Sequence, residues 1–372
     1  MDLEFSEEQQ AIADMTRSLL EELSSVEIVR QMEDDPRGYP EALWKQMAES
    51  GLIGVLVPES YGGGGLTLLE AALIYEEIGR AMAPVPHFVS GVLCAGLLLD
   101  AGSDTQKDEW LPKIASGDAI LTPAWLEPER GYGEPGVQLS AKIDGDDVVL
   151  DGSKLAVNYA GAAHRLVVLA RGEKGVDLYL VDPTAQGVTL THYKSQSGEP
   201  HYKVDFDAVR VPQSARIGAA GSGWRSFEAV LHRGIILLAA QAIGGAARCL
   251  EETVEYANTR IQFDKPLGAF QALAHYMADA STKIDGGRVL VHEAAWNAAR
   301  GRSIARFAPM AKLFCTNTYQ QTTKSCAQIW GGVAFTIEYD TQMFFRRAKE
   351  LQLSWWDVPY LEELVARDVL DG

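Results

Sequence analysis

The chain has 372 residues, which at roughly 100–200 residues per domain allows two or three compact units and excludes a small disulfide-stapled scaffold. With 47% hydrophobic and 23% charged residues it has the composition of a globular protein, and disorder and collagen are excluded. Thirty-three Lys and Arg against 51 Asp and Glu leave a net charge of −18 and a pI near 4.8, so a groove tracking nucleic-acid phosphates would oppose the chain's whole field; a few local Arg and Lys residues still suffice for a single diphosphate or CoA ester.

Residues 1–118 read as a helical segment. Ser6 followed by Gln9 makes a capping box, and Ala11, Ile12, Met15 and Leu19 recur at helical spacing. A second helical pattern covers residues 40–51, and a third covers 66–82. The run Gly62-Gly63-Gly64-Gly65 between them reads as a turn rather than a phosphate loop, since no clear strand precedes it and no Lys follows. The acidic N-terminus is unlike an export signal, and the apolar run at residues 87–99 is too short to span a bilayer, so a cytoplasmic protein without a membrane anchor is expected.

Over residues 119–217 the period shortens. Asp147 to Gly152, Arg165 to Ala170, Val176 to Val181 and Gly187 to His192 are β-rich runs separated by turn residues. Residues 218–372 return to long helices, with Phe227, Leu231, Ile235, Leu238, Ile243, Leu250 and Val254 tracking one buried face. The acidic tail at 362–371 reads as a solvated helix face. Cys94, Cys249, Cys315 and Cys326 lie too far apart for a CxxC site, which suggests free thiols in a reducing compartment. The seven histidines show no i, i+4 pairing with a second ligand, and no metal site is expected.

Several strings on this helical, β, helical order resemble the acyl-CoA dehydrogenase family over nearly the whole chain. They are Gly51-Leu52-Ile53-Gly54-Val55, Pro58-Glu59-Ser60-Tyr61-Gly62-Gly63, Glu76-Glu77-Ile78-Gly79-Arg80, Arg260 to Leu267 with Gln271, Gln328-Ile329-Trp330-Gly331-Gly332, and Arg347-Ala348-Lys349. The resemblance implies an α+β multidomain fold: an N-terminal helical domain, a middle β-barrel or sandwich, and a C-terminal four-helix bundle. It also implies FAD, an acyl-CoA substrate and an oligomer in which one subunit reaches its neighbour's FAD. Arg260, Gln262, Phe263, Gln271, Gln328, Gly331 and Gly332 are the matching cofactor residues. Their chemistry suits that role, because a guanidinium and unshielded backbone N–H groups serve a diphosphate and the amides serve a nucleotide. For Arg260 alone, the residues equally allow a helix C-terminus complement.

The family's reaction removes a proton beside a thioester carbonyl and passes a hydride from the next carbon to the flavin, which requires a positioned carboxylate. The family holds that Glu either after the Arg-Ala-Lys string or on the first long helix of the C-terminal domain. Here these positions are Trp355, with Trp356 for the usual Gly, and Gly234; neither accepts a proton. Beside the flavin the family has an aromatic residue and Thr where this chain has Ala156 and Asn158, and a Thr where it has Leu126. The pattern resembles the base-lacking subunit of heteromeric acyl-CoA dehydrogenases of steroid side-chain breakdown. That likeness implies an α2β2 heterotetramer with a catalytic homologue and electron transfer to an electron-transfer flavoprotein. Two other readings stay open: a self-sufficient homotetramer whose base is Asp357, with Glu350 and Glu228 behind it, and a flavin monooxygenase on the same fold.

Overall fold

The helix starts legible in the sequence form through local chemistry. In the computed structural model, which describes residues 5–371, the Ser6 side chain accepts from the Gln9 N–H and the Gln9 side chain accepts from the Ser6 N–H, opening the helix Glu7–Leu23. Two first-turn donors that lack helical carbonyl partners are thereby satisfied. Thr67 with Glu70 and Ser103 with Gln106 repeat the device at Leu68–Arg80 and Asp104–Ala115.

Eleven α-helices and ten strands are described, and they divide into two compact units. One comprises the described residues up to Val29, Thr67–Ala83 and those from Ile235 onward. The other comprises Arg30–Leu66 and Pro84–Gly234. The strands of the main sheet lie between Leu121 and Ile217, within the β segment expected at 119–217.

In the first unit the later part of Gly223–Thr259 is accompanied by Gln271–Ala299, Phe307–Trp330, Thr341–Leu353 and Val358–Leu370. An 18-residue window of the 37-residue helix is apolar enough to cross a bilayer, yet 78% of that window is buried in the protein, as in a core helix. Val254, placed on the buried face by its period, is exposed. Over residues 251–259 the helix leaves its packing and only Thr253 and Ala257 remain buried. Glycines allow helix Leu68–Arg80 to approach closely: a Cβ at Gly79 would stand 1.9 Å from the Gln241 carbonyl oxygen, and one at Gly244 1.8 Å from that of Glu76. Only glycine tolerates such a backbone approach.

The second unit holds an eight-stranded sheet. Its order is Val188–Lys194, Pro200–Pro212, Asp147–Asn158, Ser140–Asp144, Arg165–Gly172, Gly175–Val181 and Arg216–Ile217, with Leu121–Ala124 parallel to Arg165–Gly172. Leu150 pairs with Val209 and Leu166 with Val181, so apolar side chains gather in a core with Val168, Val204 and Phe206. The pairing of Asp147–Asn158 with Pro200–Pro212 shifts register between Lys154 and Val157. Ala156 in this bulge has φ +50°, which re-aims the strand's final side chains. All four cysteines are buried and unpaired.

Candidate functional site

In the first unit, Arg260 follows the last turn of Gly223–Thr259. The next residues form a tight hairpin, Ile261–Gln262 against Lys265–Pro266, closed by a Leu267 N–H to Arg260 carbonyl bond of 2.9 Å. Its two central residues, Phe263 and Asp264, have φ of 53° and 65°, the turn that glycine and asparagine usually occupy. The Phe263 ring is 85% exposed. Strain and an exposed aromatic ring at one point suit a surface that meets something else.

The segment Gln328–Gly332 is tied to the same edge. Trp330 stacks on Tyr256 at 3.9 Å between ring centres and donates from Nε1 to Thr253 Oγ1 at 3.0 Å. Gly331 has φ 73° and ψ −147°, a conformation open essentially to glycine alone, and a Cβ on Gly331 or Gly332 would meet nothing within 4 Å. Gln271 begins the helix after the hairpin. Arg260, Gln262, Gln271 and Gln328 are exposed, and among the described residues none of their side chains makes a hydrogen bond or ion pair. The structure thus brings the expected cofactor residues to one uncommitted edge, which also carries exposed Ile261, Phe335 and Ile337.

The two base positions are filled differently. Gly234, in the second unit, would place a Cβ 3.0 Å from Leu93 Cδ2 and 3.2 Å from the Phe88 ring, so Phe88 and Leu93 occupy the space a longer side chain would need. Phe88 opens a π-helical turn, Phe88–Cys94, in the apolar run at 87–99. Trp355 and Trp356, in the first unit, are buried, with φ of 53° and 75°. Asp357 is the N-cap of Val358–Leu370 and accepts from the Tyr360 N–H at 3.1 Å. Asp357→Ala is expected to cost ~1 kcal/mol through the lost cap and to leave acyl-CoA turnover unchanged. A hundredfold fall in turnover with retained fold would instead identify Asp357 as the base.

On the sheet, Ala156 presents a methyl group and its N–H donates to the Tyr193 hydroxyl at 2.9 Å. The Asn158 amide is 2.9 Å from His201 Nε2 and 3.4 Å from Glu199 Oε2, inside a buried cluster in which desolvation pushes His201 down to about 4. The Leu126 side chain is aliphatic, and its carbonyl takes the Leu155 N–H. These side chains do not fit a flavin ring, since none has an aromatic face to stack on it and the one side-chain donor, the Asn158 amide, is already engaged. The edge around Arg260 does fit the diphosphate and nucleotide part of a dinucleotide.

Sequence reasoning missed two buried lysines. Lys154, 0% exposed, donates to Glu127 Oε1 at 2.7 Å, and that oxygen also accepts from the Gln138 and Leu139 N–H groups at 2.8 Å. Lys312 donates to the Ser354 and Trp356 carbonyls. Their signal was a lone charge at a core position of the local period: Lys154 inside a strand pattern, Lys312 on the helix face shared with Ala308, Cys315 and Tyr319. His232 and Arg233, beside Gly234, are held by the Glu228 carbonyl and Asp100. No His, Cys, Asp and Glu group that could hold a metal occurs among the described residues.

Along the chain a helical segment, a β segment and a second helical segment follow in the order expected, and the family matches make this a flavoprotein oxidoreductase. Family models for the acyl-CoA dehydrogenase N-terminal and C-terminal domains match residues 6–118 and 221–354. A Bacillus subtilis acyl-CoA dehydrogenase is 30% identical over 351 residues, 91% of this chain and 93% of that protein. The ChsE4-ChsE5 complex from Mycobacterium tuberculosis is similar in structure, with TM-score 0.92, 25% identity and 100% of both chains covered. So is the Tcur3481-Tcur3483 steroid acyl-CoA dehydrogenase, with TM-score 0.89, 28% identity and 98% of both chains covered. The chain belongs to the acyl-CoA dehydrogenase family.

Proposed function

We propose that this chain is the base-lacking subunit of a heteromeric FAD-dependent acyl-CoA dehydrogenase. A catalytic homologue contributes the carboxylate, and this chain completes the partner's FAD site through Arg260, Gln262, Phe263, Gln271, Gln328, Gly331 and Gly332. The observation that carries the reading is an asymmetry. The Arg260, Gln262, Gln271 and Gln328 side chains are exposed and make no hydrogen bond or ion pair among the described residues, whereas the base positions hold Trp355 and a glycine whose surroundings are already filled by Phe88 and Leu93. An indole and a hydrogen atom cannot take a proton from a carbon acid.

When bound, FAD supplies the hydride acceptor. This chain's residues hold the diphosphate and exclude water at the interface. A partnership of two unlike chains is in keeping with the two-component complexes among the similar structures, and one of these suggests a steroid side-chain thioester as substrate. Electrons leave to an electron-transfer flavoprotein. Buried free thiols suit a cytoplasmic α2β2 assembly, and the segments 1–118, 119–217 and 218–372 are its proposed domains. The test is to purify the chain alone and together with a base-bearing homologue, and to compare flavin content and reduction by acyl-CoA.

A further inference from the structure

Trp355 and Trp356 are consecutive left-handed residues bearing the largest side chains, a conformation costing roughly 1–2 kcal/mol for each. Such backbone persists only where its surroundings dictate it. Here the surroundings are specific. Lys312, fully buried on helix Phe307–Trp330, donates from Nζ to the Ser354 carbonyl at 2.7 Å and to the Trp356 carbonyl at 2.6 Å, one bond on each side of Trp355. The Ser354 hydroxyl returns to the Glu350 carbonyl at 2.8 Å, and the Asp357 cap fixes the chain's exit. The Trp356 ring is fully buried, 5.5 Å from that of Tyr360.

No carboxylate lies within ion-pair distance of Lys312 among the described residues. Its amine is pushed down to about 7 by burial, against the opposing pull of Asp357. A buried amine costs free energy unless its hydrogens are used, and both carbonyls here use them. Protonated or neutral, the amine retains two N–H groups for the two bonds.

We propose that Lys312 is a positioning residue: it clamps the strained Trp355–Trp356 turn and so fixes the Trp355 indole at the place where the family carries its base. That reading of the position rests on the assignment of Trp355 given above. The clamp itself is a property of this chain and is tested without reference to flavin. Were Lys312 replaced by a residue without donors, two carbonyls would lose their partners, the left-handed pair would relax, and the indole would move.

The test uses the full-length chain carrying Lys312→Met, Trp355→Gly or both. Hydrogen exchange of the backbone amides at 354–361 is expected to accelerate about tenfold or more in Lys312→Met, the loss of roughly one or two charge-assisted bonds, while helix Phe307–Trp330 stays protected. Glycine at 355 removes the strain Lys312 opposes, so the Tm loss from Lys312→Met should fall to less than half in the Trp355→Gly background. A lysine that merely fills core space gives additive Tm losses and no local change in exchange, and that result overturns the proposal. If Lys312→Met fails to fold, Lys312→Gln, which keeps an amide donor, carries both readouts, with exchange expected between wild type and a full loss. Flavin content of the same variants assembled with the base-bearing homologue reports on the shared-cofactor reading and is free to fail separately.

Discussion

Arg260→Ala is expected to strip flavin from the assembled enzyme while leaving this chain's fold intact. The guanidinium is exposed at the end of the long helix and its side chain has no partner among the described residues, so its removal orphans nothing within the chain. A charge-assisted pair to a diphosphate contributes about 1.5–3 kcal/mol, so flavin affinity should fall roughly tenfold to a hundredfold. The check is the ratio of flavin to protein absorbance after gel filtration of the complex, with Tm as the control for folding. An unchanged ratio would reduce this chain to a scaffold.

Lys154→Met is expected to produce a large stability loss of a different origin. Glu127, with its side chain 8% exposed, keeps its bonds from Gln138 and Leu139 but loses the one cation it contacts among the described residues, and an uncompensated buried carboxylate costs about 3–5 kcal/mol. Pairing the change with Glu127→Gln should recover part of that loss. The pH dependence has a definite sign. Burial holds the Lys154 amine at about 8, below its ordinary 10.5, with Glu127 pulling the other way. Between these values the unfolded chain binds a proton that the native state has released, so stability from this group rises with pH. The gap between wild type and Lys154→Met should therefore widen from about pH 8 toward 10.5 in denaturant titrations. A gap that is flat or narrows there would contradict this account of the pair.

Much of this architecture was legible in the sequence because it is locally encoded. The capping pairs at Ser6 and Gln9, the change of period near residue 119 and the helix from Gly223 each follow from a few neighbouring residues. What escaped notice depends on tertiary contact. Lys154 and Glu127 are 27 positions apart, and Lys312 and Trp356 are 44, so no periodicity reveals that each pair meets. The left-handed pair at Trp355 and Trp356 was equally hidden, since aromatic residues are poor indicators of positive φ and the conformation is imposed from outside the segment. Gly79 entered as part of the family string Glu76-Glu77-Ile78-Gly79-Arg80. The structure gives Gly79 and Gly244 a packing reason, a helix approach that a single methyl group would prevent.

The proposed cofactor edge lies between these cases. Its residues were found by resemblance, and the structure adds that Arg260, Gln262, Gln271 and Gln328 are exposed, make no side-chain hydrogen bond or ion pair among the described residues, and lie near the positive-φ residues Phe263, Asp264 and Gly331. On the sheet, the Asn158 amide is spent on His201 and Glu199, which explains physically why this face suits a flavin ring poorly.

The most direct measurement is the visible spectrum of the chain expressed and purified alone, before and after addition of acyl-CoA. The account predicts a colourless protein with no bleaching, and a yellow, reducible one only after the base-bearing homologue is added. A yellow homo-oligomer that acyl-CoA reduces without any second chain would contradict it.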